Sequence, residues 1–524
     1  PITAYWDVPG RSNWYGLGLD AGHGKCLLLV KEEVNDALPR EVIAAWKRPY
    51  LLWAEGRKNM HVGEVANQWG YNYQTMNQIY ELSGDETIKA AILRHAELVS
   101  TPNLYGRVSP DRTPFDIKHG KLTTDCGLTE LGYMPEQFGF DGEYTCEQTM
   151  LWGKIWEDYK VPGIVSWFNQ FNELKTYLTL SKSGGVPANM YAWTCSPTDL
   201  NFRTRYMTHK NHQPQSMVGM VKYLDLWKEK EPTSVWPFLQ EGSFLKDFGD
   251  QYYCVKEADY YGIVFSGPRL QPWANWSEVE VIGDSLNFAG YSGAGYGVWG
   301  ASANKPGALS ALWLKGCGPV WLAQNHTVMD TNTVWGKAKS SLFEKARQDV
   351  DPTVFAACYA QPETNFDVNQ KTYIVKEKVP FVPLSVVSQL AFHEGDIAVE
   401  VKVTAGEDCD FETLNYALPI YSDRRVVKAD GKILKLPAVT TPARPRYPNA
   451  KLEKERWELD SFSAQTLSIT AENGAGAEIS LSTPQEIKPL KPFRYRGVAP
   501  AAGGFQISLP PTLKKGEVVS ISYT

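Results

Sequence analysis

Apolar residues recur every three or four positions from about residue 37 to residue 230. Segments such as ALPREVIAAWKRPYLLWAEG, DETIKAAILRHAELVS and SMVGMVKYLDLWKEK show this spacing, with Gly, Pro and Asp between them. The period indicates amphipathic helices, and the polar breaks indicate loops between paired helices. The pattern therefore predicts an all-α domain over residues 1–231.

After about Pro232 the period changes to two. The segments QYYCVKEADYYGIVFSG, DIAVEVKVTA, QTLSITAE and EVVSISYT alternate in this way and are rich in β-branched and aromatic residues. Many short strands of this kind predict an antiparallel β-sandwich over residues 232–440. The segment LPAVTTPARPRYPNAKLE, near residues 436–453, predicts a linker or long loop before a small β domain at 441–524. The predicted fold class is α+β with several domains.

Charge and composition exclude several classes of protein. The net charge is −6 and the pI is near 5.9, which argues against a nucleic-acid partner. No run of about 18 apolar residues occurs, so no membrane span is predicted. Aromatic residues make up 12%, with 18 Trp and 27 Tyr. This excess fits either a carbohydrate cleft, where rings stack on sugar faces, or an aromatic-rich core.

The cysteines predict no metal site. There are eight, without a CxxC motif or a Cys/His pair at zinc spacing, and no other cofactor is expected. The chain opens at Pro1 without Met or a signal-peptide pattern, so a processed or truncated N-terminus is expected. Secretion or a periplasmic location is compatible with this start. The sequence predicts no particular oligomeric state.

The stretch GEVANQWGYNYQTMNQIYELSGD, from residue 63 to residue 85, predicts a helix with an unusual polar face. A polar row on a helix usually faces solvent, but such rows are mostly charged. Amides and phenols are better suited to the hydroxyls and carboxylates of a ligand, and both interpretations stay open. Four side chains at i, i+4, i+7 and i+11 form the row: Asn67, Tyr71, Gln74 and Gln78.

A second cluster lies in FDGEYTCEQTMLWGKIWEDY, where Tyr144 and Glu147 share a helix face after the turn at Asp141. Helix capping alone is a sufficient explanation for Asp141 and Glu143. A third cluster, in NFRTRYMTHKNH, places Arg203, Arg205, Tyr206, His209, Lys210 and His212 within ten residues. It predicts either an anion-binding site or a solvated basic loop.

These segments resemble the superfamily of polysaccharide lyases that join an α/α toroid to antiparallel β-sandwiches, which includes hyaluronate, chondroitin, xanthan and heparinase II/III-like lyases. GEVANQ is similar to the motif whose Asn binds the uronate carboxylate, which implies that role for Asn67. DGEYTCEQT resembles the Asp-Gly motif, and EVEVIGDSLNFAGYSGAGYGVWG places Glu280 at the family's glutamate position. The resemblance implies an N-terminal toroid, complete or not, and an anionic polysaccharide as substrate.

The chain departs from the family where the acid and base are expected. Glu147 stands at the position of the family's His, and Trp156 or Trp152 stands at the position of its Tyr. Proton transfer is therefore assigned to Tyr144, Tyr206 or His209.

In the predicted β-elimination, Asn67 or Gln68 neutralises the carboxylate with Arg205, and Tyr206 serves as base and acid with His209 assisting. Two alternatives remain, a toroid glycoside hydrolase using Glu147 with Asp141 or Glu143, and a non-catalytic carbohydrate-binding relative. The remaining side chains predicted to bind substrate are His61, Tyr71, Glu147, Trp152, Arg203 and Glu280.

Overall fold

The structure is a computed structural model in which only part of the chain is described. The described residues are 37–58, 66–101, 131–132, 135–136, 139–140, 152–181, 190–192, 236–249, 251–266, 308–322, 332–342, 353–357, 362–421, 425–436, 460–494 and 501–524.

Helices come first along the chain, but short strands at 135–140 and 179–192 also lie within residues 1–231, so this region is not all-α as predicted. The helices are α1 (Arg40–Arg57), α2 (Ala66–Ser83), α3 (Glu86–Ser100) and α4 (Pro162–Tyr177), and residues 152–159 are also helical. The turn between α2 and α3 is fixed by Asp85, whose carboxylate accepts from Thr87 N at 2.9 Å and caps α3. Helix α2 contacts both α1 and α3. The described helices do not by themselves define the predicted toroid.

Strands β1 to β9 form two small hairpins and one antiparallel sheet. The hairpins are β1 (Pro135–Glu136) with β2 (Gly139–Phe140), and β3 (Thr179–Ser181) with β4 (Met190–Ala192). The five-stranded sheet has the order β5 (Phe244–Phe248), β6 (Tyr252–Lys256), β7 (Tyr260–Phe265), β8 (Ala308–Leu314) and β9 (Gly318–Leu322).

This five-stranded sheet is buried on both faces and forms a middle layer. Successive side chains of a strand point to opposite faces. In β6, Tyr252 and Cys254 therefore belong to a core shared with the helices, whereas Tyr253 and Val255 belong to a second core shared with the later strands. The sheet consequently connects the helices to the remaining β structure through side-chain packing.

The later strands form one 14-stranded antiparallel system. Its main path has the order β11-β10-β16-β21-β20-β23-β15-β14-β13-β12, with β17, β18, β19 and β22 paired beside it. The strands are β10 (Val334–Ala338), β11 (Val354–Ala356), β12 (Glu363–Asp367), β13 (Thr372–Lys378), β14 (Leu384–Phe392), β15 (Ile397–Ala405), β16 (Cys409–Leu418), β17 (Val426–Ala429), β18 (Lys432–Ile433), β19 (Phe462–Thr470), β20 (Gly476–Arg494), β21 (Ala501–Leu509), β22 (Thr512–Leu513) and β23 (Val518–Tyr523).

The strands on the two sides of β20 in this order share one core. Strand β20 has 19 residues and links them, because it pairs with β19 and β21 and also meets β23 at Leu481↔Tyr523. Val386 and Val401 from one side lie in the same buried cluster as Leu414 and Ile507 from the other. An antiparallel β structure packed around a common core follows, as the two-residue period predicts.

The C-terminal strands do not form a sheet of their own. Strand β21 pairs with β16 in the register Leu414↔Leu509, and β23 pairs with β15 in the register Val401↔Ile521. The prediction of a small separate β domain at 441–524 is therefore corrected. Local periodicity shows that a segment is a strand but not which distant edge it pairs with.

The predicted domain boundaries fall largely outside the described residues. The change from helices to a large sheet occurs between α4 and β5, and residues 231–235 lie in the gap between them. The linker predicted near 436–453 lies outside the described residues after Leu436. Among the described helices, none has the length and apolar composition that crossing a bilayer requires.

Candidate functional site

Helix α2 carries three of the predicted site residues in its first two turns. Asn67 and Gln68 lie in the first turn as described, and Tyr71 lies one turn later. That first turn contains no acidic side chain. Asn67 and Gln68 are uncharged hydrogen-bond donors, so these residues add no negative charge that would oppose a carboxylate.

The second half of α2 is buried although it is rich in amides. Asn72, Thr75 and Asn77 are exposed by only 3%, 1% and 3%, and Met76 and Ile79 complete the buried surface. Gln78, predicted to face a ligand, is also buried, and Gln74 is half-buried. The polar row therefore does not face solvent over this half of the helix. One of its amides, Asn77, bonds to a neighbouring helical segment.

One of these amides holds the helical segment 152–159 against α2. Asn77 Nδ2 donates to Asp158 Oδ2 at 2.9 Å, and the Tyr159 hydroxyl donates to Asn77 Oδ1. Lys154 Nζ lies 2.6 Å from Asp158 Oδ1 and neutralises that carboxylate. Burial, reinforced by the negative charge of Asp158, raises the pKa of Tyr159. Tyr159 therefore stays protonated and acts as a positioning residue, not as a base.

A buried aromatic cluster lies beside this network. The ring centroids of Tyr73 and His95 are 4.5 Å apart, and those of Tyr73 and Trp152 are 5.0 Å apart. Arg94 Nη2 lies 2.6 Å from His95 Nε2. Because a guanidinium only donates, His95 Nε2 is the acceptor and the ring proton of the neutral imidazole lies on Nδ1. The cluster fixes the faces of α2, α3 and the segment 152–159.

Trp152 is a core residue, which corrects its prediction as a substrate-binding side chain. Its exposed fraction is 0%, and it belongs to the hydrophobic cluster of the helices. A ring without accessible surface cannot stack on a sugar.

The remaining predicted residues lie outside the described part of the chain, or have side chains that are not described. For Asn67, Gln68 and Tyr71, the structure gives the helical backbone alone. The meeting of Asn67 with Arg205 and Tyr206 across one groove stays a prediction. Outside the described residues lie His61, Asp141, Glu143, Tyr144, Glu147, Arg203, Arg205, Tyr206, His209 and Glu280.

Sequence reasoning missed two buried polar residues near the predicted site, Asn77 and His95. Both had a signal in the sequence. Asn77 directly precedes Gln78 in the polar helix, and His95 is one of only eight histidines and lies in the apolar row of DETIKAAILRHAELVS. Among the described residues, no group of three or more His, Cys, Asp or Glu side chains is arranged to hold a metal ion.

Comparison with known proteins gives matches in structure alone. No family model matches the sequence, and the search of curated proteins found no match. A heparan sulfate lyase from Pedobacter heparinus matches with a TM-score of 0.40 and 10% identity, over 98% of this chain and 77% of that chain. A Paenibacillus xanthan lyase matches with a TM-score of 0.46 and 9% identity, over 98% of this chain and 48% of that chain.

A third similar structure is the chondroitin AC lyase of Streptomyces coelicolor A3, solved in complex with chondroitin sulphate. It matches with a TM-score of 0.45 and 8% identity, over 100% of this chain and 69% of that chain. All three are polysaccharide lyases by name. Similarity at this level does not by itself assign an activity to the chain.

Proposed function

We propose that the chain is a polysaccharide lyase that cleaves a uronic-acid polysaccharide by β-elimination, with its helices forming part of an α/α toroid. The observation that carries the proposal is helix α2. Its first described turn holds Asn67 and Gln68 without an acidic side chain, and its second half is buried and held to the segment 152–159 by Asn77. Uncharged amide donors on a packed helix are what the first step of the reaction requires.

The first step is neutralisation of the uronate C6 carboxylate. In this proposal the amides of Asn67 and Gln68 donate to that carboxylate at the start of α2, and Arg205 pairs with it. Negative charge moves onto the carboxylate when the C5 proton leaves, so these donors bind the enolate-like state more strongly than the substrate. Such donors make the C5 proton acidic enough for removal by a side chain.

The second step is proton transfer, which we assign to Tyr206 with His209 assisting. The Tyr206 phenolate takes the C5 proton, the C5 electron pair forms the C4–C5 double bond, and the C4–O4 bond breaks. The resulting phenol returns its proton to O4 of the leaving sugar. A cation beside the phenol lowers its pKa, and Arg205 is adjacent in sequence. Tyr144 is the alternative base, but the carboxylate of Glu147 opposes phenolate formation there.

The buried network of α2 serves this chemistry by positioning. Asn77 holds the segment 152–159 through Asp158 and Tyr159. A shift of about 1 Å in a binding residue can cost roughly a hundredfold in rate. The contacts behind α2 therefore keep Asn67 and Gln68 in place. The proposed substrate contacts besides these are His61, Tyr71, Glu147, Arg203 and Glu280.

The direct test is formation of an unsaturated product. The protein is incubated with a panel of uronate polysaccharides while near-ultraviolet absorbance and new reducing ends are measured together. Absorbance that rises with the reducing ends supports elimination. New reducing ends without absorbance would instead indicate hydrolysis by Glu147 with Asp141 or Glu143. Tight binding without either signal would indicate a non-catalytic carbohydrate-binding protein.

A matched pair of variants on one helix separates chemistry from support. Asn67→Ala is expected to lower turnover by roughly 10²–10³-fold without lowering the melting temperature, because it removes a donor to developing charge. Asn77→Ala is expected to destabilise the fold by about 1–3 kcal/mol, since it leaves Asp158 and Tyr159 without their buried partner. Equal loss of stability in both variants would contradict the role of Asn67.

A further inference from the structure

A cavity of about 500 Å³ lies between the five-stranded sheet and the later β strands. Strands β8 and β9 form one wall, and β14, β15, β19 and the start of β20 form the other. Ligand sites in proteins typically have volumes of about 300–1,000 Å³. The cavity is therefore large enough for a small organic molecule. It lies in the β structure.

Part of the cavity wall is apolar and deeply buried. Such side chains favour contact with the apolar part of a ligand. Trp321 and Tyr523 supply aromatic surface, and the Trp321 Nε1 proton is already donated to Leu309 O at 2.9 Å. The apolar lining includes Leu309, Val320, Trp321, Leu390, Val399 and Ile469, none more than 6% exposed.

One polar side chain in the lining has an unused donor. Asn332 is 5% exposed, and its Oδ1 accepts from the Tyr416 hydroxyl at 2.5 Å. The Asn332 Nδ2 group has no partner in the part of the chain that the structure describes. An unpaired amide N–H group in a cavity lining can donate to an acceptor on a ligand. A ligand that carries an acceptor at its inner end would satisfy it.

The mouth of the cavity is negatively charged. Asp259, Asp396 and Glu478 border it, with Lys315 as the opposing cation, and all four side chains are exposed. Three carboxylates and one ammonium give a charge of −2 at the mouth. Such a charge attracts a cation and opposes an anion. The uronate polymer proposed above is anionic, so it does not fit this opening.

We propose that this cavity is a second binding site, for a small amphipathic cation with an apolar or aromatic body and a protonated amine. The body occupies the apolar interior, an acceptor on it meets Asn332, and the amine lies among Asp259, Asp396 and Glu478. The proposal is independent of the lyase reaction.

The first experiment varies the charge of the ligand and keeps its body. Binding of para-methoxyphenylbutylamine, of the matching alcohol and of the matching carboxylic acid is measured by isothermal titration calorimetry on the whole protein. The amine is expected to bind roughly tenfold more tightly than the alcohol, since three exposed ion pairs contribute modestly, and the carboxylate is expected to bind most weakly. Equal binding of all three, or no binding of the amine, would overturn the proposal.

The second experiment changes the protein. Ala477→Trp places a large ring in the cavity and is expected to abolish binding of the amine. The triple variant Asp259→Asn, Asp396→Asn and Glu478→Gln is expected to remove the roughly tenfold advantage of the amine over the alcohol. A control with the exposed carboxylates neutralised elsewhere, Glu363→Gln, Glu407→Gln and Glu412→Gln, should keep that advantage. If the first triple variant still bound the amine more tightly than the alcohol by the same factor, the three carboxylates would not be the cause of that preference.

Discussion

Helix α2 and strand β14 differ in how burial is distributed along them and in whether their buried polar atoms are paired. Along β14, buried and exposed side chains alternate, so that Val386 is 1% exposed and Val387 is 37% exposed. Along α2, the buried atoms Asn72 Oδ1, Thr75 Oγ1 and Gln78 Oε1 have no hydrogen-bond partner among the described residues. Strand β14 keeps the two-residue alternation of burial even where it buries Ser388 and exposes Val387, whereas α2 leaves several buried polar atoms unpaired, against the rule that buried polar groups are paired. Such departures are expected where an element serves function as well as stability.

In the five-stranded sheet, a buried structural carboxylate is stabilised by hydrogen bonds. The Glu257 side chain is 4% exposed, and its carboxylate accepts from Lys371 Nζ and Ser243 Oγ. Burial alone would raise the pKa of Glu257, but the hydrogen bonds from Lys371 and Ser243 outweigh it and hold that pKa below its usual range. The carboxylate is thus hydrogen-bonded within the described residues, in contrast to the buried amide oxygens of Asn72 and Gln78 in α2.

The largest expected effect concerns the chemistry assigned to the helical region. Tyr206→Phe removes the proposed base and acid, and a loss of turnover on the order of 10²–10⁴-fold is expected. The measurement is the rate of near-ultraviolet absorbance on the best uronate polymer. Tyr80→Phe removes a hydroxyl that donates to Glu86 at 2.9 Å and should leave turnover nearly unchanged. Equal rates for both variants would remove Tyr206 from the mechanism.

Trp152 tests whether the aromatic residues near α2 are core or ligand surface. Trp152→Ala is expected to lower the free energy of unfolding by about 3–5 kcal/mol, because it leaves a cavity beside Tyr73. Denaturant unfolding measures this change. A substrate-stacking residue would instead raise KM and leave stability unchanged, and that outcome would restore the original prediction.

The Glu257–Lys371 pair predicts a pH-dependent contribution to stability. Glu257→Gln is expected to cost about 2 kcal/mol near neutral pH, less than the roughly 3–5 for a fully buried pair, because Lys371 is 31% exposed. The pKa of Glu257 is lowered on folding, so its contribution is complete above the ordinary glutamate pKa and disappears as pH falls through the folded value. Unfolding curves of both proteins from neutral to acidic pH should therefore converge. A constant difference across that range would show that the carboxylate charge is not the cause.

The smallest expected effect comes from two neighbouring residues of β14. Val386→Ala removes buried methyl groups and is expected to cost about 1.5 kcal/mol, whereas Val387→Ala should change stability by less than about 0.5 kcal/mol. Thermal or denaturant unfolding compares the two variants directly. Similar costs at both positions would mean that the outer face of β14 is covered in solution.

The order of helices and strands could be predicted from the amino-acid sequence, because the spacing of apolar residues is a local property of each segment. DETIKAAILRHAELVS is the helix α3 with Asp85 as its cap, and DIAVEVKVTA is the strand β15. The sequence did not predict that β23 would pair with β15, or that β21 would pair with β16. Those pairings join segments that are far apart in the chain, and no local pattern encodes them.

The candidate site shows the same limit at the level of single side chains. The sequence identified α2 as a polar helix, yet it assigned Gln78 to a ligand-facing row and Trp152 to the substrate site. Both are buried, because the segment 152–159 and α3 cover faces of α2 that a helical projection treats as open.

The sequence by itself determined which segments are helices and strands, since those depend on the spacing of apolar residues along a few turns. Tertiary structure alone decided which polar side chains became buried, and it decided that the five-stranded sheet would separate two cores. Burial depends on what packs against an element from elsewhere in the chain. Tyr252 and Tyr253 are identical neighbours in sequence, and only the layers on either side of β6 assign them to different cores.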